Sequence, residues 1–160
     1  MESPLEGLKA LVRVLRPSGT IKFSVYSRAA RAATLAAIEL RKSLGISPTT
    51  EGINELRNII RALPRDHPAA PVVNSRDFGT RAGCRDLLFH VQEHNFTIPE
   101  LVELVEAAGL KILSWGPSTS VTKLESMGYP NTTDWRIWHE AELKRPGLFS
   151  NGMYTLAVTR

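Results

Sequence analysis

Residues 5–26, LEGLKALVRVLRPSGTIKFSVY, place the strongest constraint on what this chain can fold into. Leu5, Leu8, Leu11, Val12 and Leu15 recur at helical spacing, with Lys9, Arg13 and Arg16 mostly on the other side. That pattern predicts an amphipathic helix with one face to bury. Pro17 and Gly19 stop it, and Pro-Ser-Gly is a turn signal. The β-branched and aromatic run TIKFSVY (20–26) predicts a buried strand directly afterwards.

The rest of the chain alternates in the same way. An alanine-rich segment, roughly 27–44, predicts a closely packed helix that Gly45 ends. Thr49 and Thr50 cap a second helix, roughly 50–63, with Ile53, Leu56, Ile59, Ile60 and Leu63 as its apolar stripe and Pro64 as its breaker. Residues 64–76 suit a loop, and 81–94 (RAGCRDLLFHVQEH) suit either a helix or irregular structure. Thr97 and Pro99 open a helix that Gly109 closes. Strands follow at 110–115 and 153–158, with a short helix near 134–143 between them. The expected fold is α/β with three strands, too few for a comfortable doubly wound sheet, so part of the sheet is expected to be absent.

Several function classes are disfavoured at this point. No apolar run approaches the roughly 18–20 residues that span a bilayer, and the start, MESPLEGLK, has no signal-peptide core. The single cysteine, Cys84, cannot form an internal disulfide and fits a reducing cytoplasm, so a cytoplasmic protein with no membrane partner is expected. Residues 1–70 carry eleven Lys/Arg against six Asp/Glu, whereas 71–160 carry nine against ten. The excess sits mostly on single helical arginines such as Arg28, Arg31, Arg41, Arg57, Arg61 and Arg65, without interleaved exposed aromatics. Solvated helix faces explain that pattern better than a nucleic-acid surface.

Four blocks together carry a family resemblance: LKALVRVLRPSGTIKFSVYS, CRDLLFHVQEHNFT (84–97), FTIPELVELVEAAGLKILSWG (96–116) and GMYTLAVTR. Their order resembles the C-terminal half of a class I S-adenosylmethionine-dependent methyltransferase domain. The second block is similar to one in a bacterial subset often attached to tetratricopeptide repeats. The resemblance implies a Rossmann-like sheet of which this chain supplies strands five, seven and six, the seventh antiparallel. It divides the chain into a helix and central strand (1–26), a helical insert (27–66), a connecting segment (67–95), and a closing helix with two strands (96–160). The edge of strand five would lack its neighbour and invite another chain.

In that family a Gly-rich loop and an acidic strand end hold the cofactor. The eleven glycines here include no G-x-G, so no residue is assigned to cofactor binding, and the chain alone is expected to be an inactive substrate-side fragment. On the acceptor side, His90, Glu93 and His94 would share one face if helical and would supply a general base with an orienting partner. The alternative is that they bond neighbours and fix a long connection. H-x-x-E-H is also a zinc spacing, but no further ligand is visible. Tyr26, at a strand's C-terminal end, Arg85 and Trp138 are the candidate substrate contacts. The methyl acceptor is unidentified. A docking half-domain paired with a separate cofactor-binding partner is the rival reading.

Overall fold

The computed structural model describes residues 3–90, 92–149 and 152–160. The chain divides into two compact units, one of Met1–Ala30 with His94–Arg160 and one of Arg31–Glu93. Each has its own apolar core. The helical insert and connecting segment expected as separate pieces therefore form one unit, with its own buried centre at Leu56, Ile60 and Leu88.

The first unit holds the sheet. Helix α1 (Pro4–Val14) is capped by Ser3, whose side chain accepts from the amide of Glu6, and it buries Leu8. Strand β1 (Ile21–Ser27) follows. After the second unit come β2 (Asn95–Phe96), α5 (Ile98–Ala107), β3 (Lys111–Gly116), α6 (Ser118–Ser126), α7 (Trp135–Lys144) and β4 (Met153–Thr159). The sheet order is β2-β1-β4-β3. Strand β4, last in the sequence, lies between β1 and β3 and is antiparallel to both.

The sheet has a clear inside and outside. Ile21, Phe23 and Val25 are paired across the ladder with Val158, Leu156 and Tyr154, and they face the core built by α1, α5 and α7. Period-two alternation turns Lys22 and Ser24 to the opposite face, where the Ser24 and Thr155 hydroxyls are 2.8 Å apart. Helix α5 has a reciprocal cap: the Thr97 side chain accepts from the Glu100 amide, and the Glu100 carboxylate accepts from the Thr97 amide at 2.7 Å. Gly109 follows with φ +74°, a left-handed conformation that costs glycine nothing.

The second unit is helical. It contains α2 (Ala32–Ser43), α3 (Thr50–Ala62), two short 3₁₀ turns (Ala70–Asn74 and Asp77–Gly79) and α4 (Arg81–Phe89). Thr49 and Thr80 cap α3 and α4 through their side chains.

Four expectations change. The sheet has four strands among the described residues, because β2 adds two residues beside Tyr26 and Ser27. That short parallel strand partly covers the β1 edge expected to be open. The helix expected from residue 27 starts at Ala32, since β1 runs through Ser27 and a turn follows. Helix α6 was not anticipated: its Ser/Thr-rich sequence has weak propensity, and burial of Leu124 holds it in place.

Candidate functional site

Open α/β sheets present ligands with the C-terminal ends of their strands, and at the end of β1 the chain buries a carboxylate. Glu142 on α7 is 3% exposed, and Ser27 and Tyr154 are fully buried. The Ser27 hydroxyl donates to Glu142 Oε1 at 2.7 Å. The Tyr154 hydroxyl lies 2.9 and 2.8 Å from the two carboxylate oxygens. Ser27 Oγ also accepts from the Ala30 amide at 3.1 Å, which ties the network to the turn after β1. A buried polar group is tolerated only when it is hydrogen-bonded, and these contacts meet that requirement. Burial still pushes the Glu142 carboxyl up, against the Ser27 and Tyr154 hydrogen bonds and the charge of His139. Burial, then the neighbouring Glu142 charge, pushes the Tyr154 hydroxyl up as well, so it stays protonated. The cluster is closed to solvent, and its chemistry is positioning: it fixes the strand end that carries Tyr26.

Tyr26 itself is half-buried and sits opposite Asn95 on one side and Met153 on the other. His94 is half-buried, with its ring 6.5 Å from that of Phe96. Trp138 is in the core. Its indole packs 5.7 Å from Trp115 and 5.5 Å from Phe149, and its Nε1–H donates to the Thr132 carbonyl at 2.8 Å. With no exposed surface, it serves packing and offers an acceptor no contact.

In the second unit, α4 brings Arg85 and His90 together. Ala82, Arg85, Asp86, Phe89 and His90 line one open groove of about 490 Å³. The spacing is that of a single helix face running off its C-terminal end. Helix α4 stops at Phe89, and His90 has extended backbone (φ −59°, ψ 136°). The shared helical face imagined for His90, Glu93 and His94 is therefore absent. Val91, inside the same block, lies outside the described residues. Glu93 instead makes a two-point ion pair: Arg31 donates through Nε at 2.8 Å and through Nη2 at 2.7 Å. Both side chains are about nine-tenths buried (11% and 12% exposed). Both Glu93 oxygens are thus engaged by a guanidinium, an arrangement suited to fixing geometry.

The Ser27–Glu142–Tyr154 network was missed at the sequence level. Its signal was present: Trp138, Ala141 and Glu142 follow i, i+3, i+4 spacing, which puts a carboxylate on the apolar face of its helix.

The described residues do not fit the cofactor that the resemblance implies. The turn after β1 is Arg28-Ala29-Ala30, β3 runs into Gly116-Pro117, and neither is a Gly-rich loop that would let backbone approach a ligand. Among the described residues, no three His, Cys, Asp or Glu side chains converge as a metal site. No described helix is long and apolar enough to cross a membrane. No family model matches the chain.

Proposed function

We propose that these residues form the acceptor-side part of an S-adenosylmethionine-dependent methyltransferase with a Rossmann-like sheet, and that the cofactor is held by residues of another polypeptide segment. One observation carries this reading: β4 is last in sequence yet lies between β1 and β3, antiparallel to both. That is the order and polarity the resemblance implies for strands five, seven and six. In this reading the groove on α4 takes the acceptor. Arg85 orients it through its guanidinium and His90 removes a proton where the acceptor needs it. Glu93, held by Arg31, positions the segment that carries His90. The protein acts in the cytoplasm.

A second reading has its own support. Beyond its two-residue pairing with β2, the outer edge of β1 has no ladder partner among the described residues. A cavity of about 200 Å³ runs beside it, lined by Leu8, Leu11, Phe23, Val25 and Leu104 among others. An edge of this kind suits a docking half-domain that pairs with a separately encoded partner.

The reading is tested by in-frame translation of the DNA upstream of this sequence and of its neighbouring genes. A strand followed by a Gly-rich G-x-G loop, with an acidic residue ending the next strand, supports it; absence of such a segment from both places contradicts it.

A further inference from the structure

The arginines of the second unit have few carboxylate partners. Among its described residues the ion pairs are Arg31–Glu93 and Lys42–Glu39, which leaves Arg57, Arg61 and Arg65 without one. Arg57 and Arg61, one turn apart on α3, place their guanidiniums 5.8 and 5.6 Å from the centre of the Phe78 ring. Arg57 Nη2 also donates to the Gly79 carbonyl at 2.8 Å. Stacking of this kind holds a guanidinium in place and leaves its N–H edge able to receive an oxyanion. Like charges one turn apart repel, and among the described residues neither makes an ion pair with an acid.

Beside this row is a cavity of about 280 Å³. Arg61, Arg65 and Asn74 line it, and Leu63, Pro71 and Val73 supply apolar wall. The wall is formed in advance by backbone hydrogen bonds: His67 to Pro64, Ala70 to His67 and Ser75 to Val72, at 2.9–3.0 Å. In the same turn His67 Nδ1 accepts from the Ala69 amide at 3.1 Å. Asp66, at the same turn, is exposed and outside the lining. The segment that the sequence suggested was a plain loop is thus a pinned wall.

We propose that this pocket binds a small anion, with a phosphate or carboxylate head between Arg61 and Arg65 and an apolar body against Leu63, Pro71 and Val73. A cavity this size is at the lower end for ligand sites, which limits the body to one ring or a short chain. The site is independent of the methyltransferase reading.

The test is a ¹H–¹⁵N titration of the full chain with phenyl phosphate, phenylacetate, phenol, inorganic phosphate and a short single-stranded oligonucleotide. Saturable shifts confined to the amides of residues 60–63, 65, 70 and 72–74 are expected from phenyl phosphate or phenylacetate, and the tighter of the two identifies the head. Phenol and inorganic phosphate should each bind about fivefold more weakly or worse, since each lacks half of the recognised chemistry. Arg65→Gln should weaken binding about tenfold, the scale of one charge-assisted contact, and Arg61→Gln/Arg65→Gln should abolish it with the remaining spectrum unchanged. The proposal is overturned by an absence of saturable shifts, by equal binding to the double variant, by phenol binding as well as the anions, or by a response to the oligonucleotide alone.

Discussion

Ser27 and Glu142 lie 115 residues apart in sequence, and their side chains meet at 2.7 Å in the core of the sheet-bearing unit. Burial holds the Glu142 carboxyl above its ordinary value of 4.5. Between that value and the raised one, the folded protein keeps a proton that the unfolded chain releases. The stability Glu142 supplies is then full below about pH 4.5 and is lost as pH rises through the folded-state value. The groups facing it are Ser27 on β1, Tyr154 on β4 and His139 on α7. Glu142→Gln cannot ionise. Wild-type stability relative to this variant should therefore fall as pH rises above about 4.5, read by urea unfolding at each pH. A difference that is flat or rises with pH would contradict the raised carboxyl.

Glu142→Ala strands two buried hydroxyls, Ser27 and Tyr154. A loss of about 3 kcal/mol is expected, and Tyr154→Phe should recover part of it in the double variant because one orphan is removed.

Arg31 and Glu93 are the first and last residues of the helical unit, and their two-point pair joins its ends. Removing either partner alone leaves a mostly buried charge, so Arg31→Met or Glu93→Gln should each cost about 2–4 kcal/mol. Replacing both with apolar residues should cost less than the sum, and a double-mutant cycle in urea measures that coupling. Additive losses would mean the pair contributes no specific coupling.

Thr97→Ala removes half of the reciprocal cap on α5 and should destabilise by about 1 kcal/mol. The Glu100 carboxyl is held below its ordinary value chiefly by its hydrogen bond from the Thr97 backbone amide. Its contribution is therefore present above the unfolded value and fades on acidification, opposite in sign to that of Glu142. Thermal melts of Glu100→Gln against wild type should converge toward acid pH.

Trp138 tests the distinction between core and contact. Trp138→Ala should cost about 3–5 kcal/mol as a large-to-small core substitution, with a drop in the buried-tryptophan emission that Trp138 shares with Trp115. An unchanged melt would mean that the indole is not packed as described.

The contrast between elements shows what a sequence can disclose. Helices α3 and α5 were legible because an apolar stripe, a hydroxyl cap and a terminating Pro or Gly all agreed, and α1 because its stripe and the Pro17 and Gly19 stop did. At Ser27 local signals misled: the alanines favour helix, yet the strand runs through Ser27, whose hydroxyl then receives the Ala30 amide. The two-residue β2 exists only because β1 lies beside it, so no local pattern announces it. His90 and Arg85 were legible as chemistry-bearing residues and share one groove. The engagement of Glu93 by Arg31, 62 residues away, was not legible, because ion-pair partners of that separation are fixed by tertiary structure.

The most direct test of the methyltransferase assignment is calorimetric titration of S-adenosylhomocysteine into two samples. One is the 160-residue chain alone; the other is the chain co-expressed with the Gly-rich segment encoded upstream or alongside. No binding heat is expected from the first sample, and saturable binding of roughly micromolar strength is expected from the second. Binding by the chain alone, or by neither sample, would contradict the assignment.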